Sequence, residues 1–175
     1  NDTAVKPFGH PIHHGRIFRR KPREKDRRRS SQAQGHGKHP AVIVIHEAWG
    51  LVDHTKDVTN RLAREGFVAL AVDLFDRQVV SKLEEGRAIR EKLTEERTLG
   101  DLNGGFNYLK TLDYLNPKRI GSVGFCMGGG LSLLLACHNR ELAAAVIFYG
   151  RNPSPIDLVR NIQCPILGNY AGADM

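Results

Sequence analysis

Three cysteines in 175 residues, Cys126, Cys137 and Cys164, are too few and of the wrong parity for a disulfide framework. The chain also shows no signal peptide, and the two absences together predict a reducing, cytoplasmic setting. No apolar run approaches the roughly 20 residues of a membrane-spanning helix, so a soluble protein without a membrane partner is expected. No internal repeat is present, which sets solenoids and propellers aside. Large apolar residues are scarce before Pro40: only Val5, Phe8, Ile12, Ile17 and Phe18 interrupt a stretch of Gly, Pro, His, Ser and basic residues. So little apolar surface cannot offset the entropy of ordering, which predicts that 1–39 is a basic, disordered tail and that 40–175 is a single domain.

The formal net charge is +7. Between Arg16 and Arg29 nine basic residues face only Glu24 and Asp26, and the rest of the chain is balanced at seventeen of each sign. The excess charge therefore belongs to the tail and says nothing about the folded part. Such a run attracts polyanions without sequence preference. It lacks interleaved aromatics and an accompanying recognition fold, which argues against nucleic acid as the partner.

From Pro40 the composition changes abruptly. Residues 41–46 (Ala-Val-Ile-Val-Ile-His) form the continuous β-branched run of a strand covered on both faces. Val58, Leu62 and Ala63 mark one face of a helix over 55–65 that Gly66 ends. Residues 67–72 predict a second buried strand. Leu83, Ile89 and Leu93 form a sparse helical stripe, and Leu99, Leu102, Phe106 and Leu109 a cleaner one. Further strands are predicted at 120–124, 143–149 and 165–170. Strands alternating with helices imply an α/β fold, a mostly parallel doubly wound sheet whose reactive groups gather at the carboxyl ends of its strands.

The sharpest motif is Gly124-Phe125-Cys126-Met127-Gly128-Gly129-Gly130, between a short apolar run and an apolar helical run. It has the form of a nucleophile elbow with cysteine in the serine position. Glycines two residues either side of Cys126 leave room for crossing backbone, and the following helix directs its partial positive charge at the apex. Cys126 is the candidate nucleophile. One oxyanion donor is then the N–H after it, on Met127, and a second comes from the loop after the first buried strand, on Ala48. Glu47 stands at the same edge as a candidate acid. Arg77, after the second strand, is placed either to clamp a substrate carboxylate or to lie solvated in its loop. The order nucleophile, acid, histidine makes Asp174 the candidate triad acid, but no histidine follows it before Met175. His138 lies twelve residues past Cys126, too far along a helix to reach the thiol. His46 and His54 are nearer the mouth, where histidine more often packs or bonds than acts as a base.

Residues 42–50 (VIVIHEAWG), 71–78 (AVDLFDRQ), 123–129 (VGFCMGG), 146–150 (VIFYG) and 172–174 (GAD) resemble the dienelactone hydrolase (carboxymethylenebutenolidase) family of the α/β-hydrolase fold. The resemblance spans about three quarters of the chain. It implies a three-layer α/β-hydrolase core, Cys126 as nucleophile, Asp174 as triad acid, and Glu47 as the acid that engages the thiol before substrate arrives. It also implies Arg77 as a contact to an anionic substrate, and Trp49 and Tyr149 as pocket walls. Members of the family hydrolyse ester bonds of cyclic lactones, such as dienelactone to maleylacetate. Against that pattern, residues 1–39 offer no counterpart to the family's first strands, and the closing strand, helix and histidine are expected beyond Met175.

The function expected is hydrolysis of a lactone or small, anionic carboxylic ester by a cysteine nucleophile, with no metal or organic cofactor. The alternative is a non-catalytic or inactive fragment on a hydrolase scaffold, since the triad histidine is absent from these residues. The sequence leaves the oligomeric state open.

Overall fold

A computed structural model describes residues 17–20 and 38–173. Most of the basic run and the expected triad acid Asp174 lie outside the described residues. Six strands, β1 (Ile17–Arg20), β2 (His39–Ile45), β3 (Val68–Val72), β4 (Leu115–Phe125), β5 (Ala144–Phe148) and β6 (Ile166–Asn169), form one sheet in the order β1-β3-β2-β4-β5-β6. β2 to β6 are mutually parallel, with Ile45 level with Val72 on one side and Gly124 on the other. The apolar composition of β2 and β3 suits strands buried on both faces: Ile43, Val44, Ile45, Val68 and Leu70 have no exposure.

β1 runs antiparallel along the β3 edge, with Ile17 opposite Val72. Its presence corrects the expectation that everything before Pro40 is unstructured and offers no strand. The physical reason is that an edge ladder is made of backbone N–H and C=O groups, which any four extended residues supply whatever their apolar content.

Among the described residues four α-helices flank the sheet: α1 (Asp53–Arg64), α2 (Leu83–Glu91), α3 (Glu95–Lys110) and α4 (Met127–His138). One face of the sheet packs Ile43, Ile45, Leu70 and Ile147 with Leu102, Phe106 and Leu109 of α3 and Leu131 and Leu135 of α4. The other packs Val42, Val44, Ala69 and Ala71 with Ala63, Val58 and Leu62 of α1. This two-sided cover makes the architecture three-layered α/β. α1 ends as expected, with Gly66 at φ 97° donating to the Ala63 carbonyl. α3 is opened by Thr94, whose hydroxyl accepts the Arg97 N–H at 3.1 Å.

The chain winds from β2 to β3 in one direction and then returns past β2 to β4, β5 and β6 in the other. The order therefore reverses between β2 and β4. The region outside the carboxyl ends of those two strands is where ligands bind in open α/β sheets. Glu47 follows one of these strands and Cys126 ends the other.

Candidate active site

Cys126 sits between β4 and α4 at φ 52°, ψ −115°, with its side chain exposed. A non-glycine residue is costly in that region, and the surroundings hold it there. Its N–H donates to the Phe148 carbonyl at 2.9 Å, and its carbonyl accepts from Gly130 at 3.2 Å. The flanking glycines are steric necessities: a Cβ on Gly124 would collide with the Gly128 carbonyl, and one on Gly128 with the Ile45 and His46 carbonyls. The helix that starts at Met127 thus runs hard against the ends of β2 and β4, with its unsatisfied amides at the thiol.

The loop after β2 supplies the opposite side. Glu47, Ala48 and Trp49 are half-buried. Trp49 accepts the Val80 N–H through its carbonyl at 3.1 Å, and Gly86 of α2 packs so close to the Ala48 carbonyl that no side chain fits there. The N–H groups of Ala48 and Met127 donate to no other described residue. Two donors left open at one sheet edge are what an oxyanion requires.

Tyr149 follows β5 at φ 42° and donates its phenol O–H to Glu47 Oε1 at 3.2 Å. Burial, then the Glu47 charge and its hydrogen bond, and finally the charge of Cys126 push the phenol pKa up. The thiol, the carboxylate and the phenol therefore share one neighbourhood. Sequence reasoning placed Tyr149 at the pocket but did not foresee its partner.

Arg77 lies in the turn after β3, exposed, with φ 70°. Asp73 builds that turn: its nearly buried carboxylate accepts the Phe75 N–H at 3.0 Å and the Arg77 N–H at 2.8 Å. Asp76, also at positive φ, pairs with Arg97 of α3 at 2.6 Å. The Arg77 guanidinium has no partner among the described residues. Asp73 was not singled out from the sequence, although an Asp opening a turn and bonding the N–H two residues on is common turn chemistry.

No described histidine is paired with Cys126. His46 is buried, with both ring nitrogens occupied: Nε2 accepts the Leu74 N–H at 3.1 Å, and Nδ1 lies 2.6 Å from the Glu47 carbonyl. Burial lowers its pKa, against weaker opposing effects of the Glu47 carbonyl and the Asp73 charge. His54 is exposed in the first turn of α1, and His138 faces Glu95 at 3.6 Å at the far end of α4. Among the described residues no cluster of His, Cys, Asp and Glu is arranged to hold a metal. No helix among them is long and apolar enough to cross a membrane.

Comparison with known proteins agrees with the α/β fold. The family model for the dienelactone hydrolase family matches residues 29–175. A Saccharolobus solfataricus protein named carboxymethylenebutenolidase is 38% identical over 173 residues, covering 77% of this chain and 66% of its own. One of the same name from Methylorubrum extorquens is 34% identical over 160 residues, covering 83% of this chain and 55% of its own. The chain thus spans about half to two thirds of the length of the curated relatives it matches. Among solved structures, a Klebsiella pneumoniae dienelactone hydrolase superposes with a TM-score of 0.70 at 27% identity, over 87% of this chain and 65% of that one. A dienelactone hydrolase-like promiscuous phosphotriesterase from metagenomic libraries gives 0.70 at 27% identity, over 90% of this chain and 70% of its own.

Proposed function

The chain belongs to the dienelactone hydrolase family, and we propose that it hydrolyses lactones or small carboxylic esters with Cys126 as the nucleophile. The observation that carries this reading is the exposed Cys126 thiol at the head of α4, at the same sheet edge as two amides that have no partner among the described residues. In this reaction the Cys126 thiolate attacks the ester carbonyl carbon, a C–S bond forms, and the carbonyl electron pair moves to oxygen. The Ala48 and Met127 N–H groups hold that oxyanion. Its collapse expels the alkoxide, which takes up a proton, and leaves a thioester. Water then attacks the thioester, releases the acid and returns the thiol.

Glu47 engages the thiol before substrate binds, with Tyr149 fixing the carboxylate. Arg77 holds a carboxylate on the substrate, which makes an anionic lactone the preferred class. Trp49 and Tyr149 wall the pocket. The proton transfers call for an imidazole oriented by Asp174. His46 has both ring nitrogens engaged, and His138 lies against Glu95 at the far end of α4, so neither supplies that imidazole.

Aryl-ester and lactone turnover by the full-length protein and by its Cys126→Ala variant tests the proposal. Turnover should vanish in the variant, and a thioester on Cys126 should be trapped by mass spectrometry in the parent. Undiminished turnover in Cys126→Ala refutes the nucleophile. Saturable lactone binding without turnover would favour the non-catalytic reading.

A further inference from the structure

His46 is the least accessible ionisable group beside the site, 1% exposed and packed edge-on against Phe75 with ring centroids 5.0 Å apart. Its tautomer is fixed by its partners. Leu74 can only donate through its N–H, so Nε2 must be bare. The proton then resides on Nδ1 and is donated to the Glu47 carbonyl at 2.6 Å. That carbonyl is one half of the peptide unit whose other half is the N–H of Ala48. In a planar trans peptide the C=O and N–H point in opposite directions, so fixing one fixes the other. With the Glu47 carbonyl held by the ring, the Ala48 N–H points away from the buried imidazole. It is left without a described partner.

We propose that His46 is a positioning residue of the oxyanion hole. Its Nδ1–H locks the Glu47–Ala48 peptide so that the Ala48 amide is presented to the developing oxyanion, while Nε2 ties the same peptide to the turn carrying Arg77. The tie runs through Leu74, whose neighbour Asp73 accepts the Phe75 and Arg77 amides. One imidazole thereby couples the loop after β2 to the loop after β3. This inference rests on the proposed roles of Cys126 and Ala48. It goes beyond them in giving a function to a histidine that is neither base nor ligand.

Two reactions of the same thiol separate the effect. Acylation of Cys126 by an activated aryl ester passes through a tetrahedral oxyanion, with a C–S bond formed and the aryl C–O bond broken to release the phenolate. Alkylation by iodoacetamide displaces iodide at a saturated carbon and forms no oxyanion. In His46→Leu, acylation should fall by about tenfold or more, since full loss of one oxyanion donor costs on the order of a hundredfold, while alkylation stays unchanged. His46→Gln, whose amide carries both an acceptor and a donor, should recover most of the acylation rate. Equal losses in both reactions, or an unchanged acylation rate in His46→Leu, would overturn the proposal.

If His46→Leu does not fold, ring nitrogen shifts in the unsubstituted protein decide the matter. A protonated Nδ1 with a bare Nε2 accepting the Leu74 amide supports the assignment, and the opposite tautomer removes it. Failure of the parent protein to be alkylated or acylated at Cys126 would refute the nucleophile instead, and leaves the tautomer as the measurement for His46.

Discussion

Tyr149 and Glu47, 102 positions apart in sequence, meet through a 3.2 Å hydrogen bond from phenol to carboxylate. The contact joins the ends of β2 and β5 across β4, the strand that Cys126 follows. Glu47→Gln removes the carboxylate charge, one of the causes that raise the Tyr149 pKa, while the amide oxygen can still accept the phenol O–H. The phenol should therefore titrate at lower pH in Glu47→Gln. Difference absorbance against Tyr149→Phe isolates this one tyrosine, and an unmoved titration would mean that the carboxylate charge does not lie beside the phenol in solution. In the parent protein the raised pKa keeps the folded phenol protonated after the unfolded one has ionised. Its stabilising contribution is present below the ordinary phenol range and is lost as pH rises through the folded value.

The three thiols should separate in reactivity. Cys126 is exposed at a helix N-terminus, whereas Cys137 is buried, with its pKa raised by burial and then by the charge of Cys164. Burial also raises the Cys164 thiol. At neutral pH both hold less thiolate than an ordinary cysteine. Brief alkylation followed by peptide mapping should find Cys126 modified first, and preferential labelling of Cys164 would contradict an activated elbow.

Arg77 should discriminate between substrates. A charge-assisted contact to a carboxylate is worth roughly 1.5–3 kcal/mol, so Arg77→Ala in the full-length protein should raise KM for a carboxylated lactone about tenfold or more. KM for a neutral aryl ester should barely move. Equal losses on both would show that the guanidinium supports the loop and does not hold the substrate.

Gly128→Ala tests the packing at the elbow. The added methyl would enter the space of the Ile45 and His46 carbonyls, and backbone yields less readily than a side chain. A loss of about 1–3 kcal/mol or more in denaturant unfolding is expected. Gly100→Ala, where nothing lies within 4 Å of the new carbon, should leave stability the same or slightly higher.

The parts of this molecule that the sequence reveals are those encoded by local pattern. β2 and β3 are legible because residues buried on both faces leave a continuous apolar run. The elbow is legible because the crossing at Gly124 and Gly128 admits no Cβ. β1 is not, since its pairing with β3 uses backbone groups that composition does not mark. The Tyr149–Glu47 bond and the His46 bridge depend on register between strands far apart in the chain, to which no periodicity points. Asp73 is the intermediate case: its turn chemistry is local, but the hydrophobic pattern around it draws attention to the strand. Asp174 reads as a triad acid from chain order and lies outside the described residues.

Among the described residues the non-glycine positions with left-handed φ are Asp76, Arg77, Cys126 and Tyr149. They follow or end β3, β4 and β5, and they are absent from the opposite edge of the sheet. Each such conformation costs on the order of 1–3 kcal/mol unless the residue is glycine. Glycine at Arg77 or Tyr149 should therefore raise the melting temperature while removing a functional side chain. A lineage of this fold held only to thermal robustness would drift toward glycine at these positions. Their retention as Arg and Tyr would be the trace that selection for chemistry leaves in the backbone.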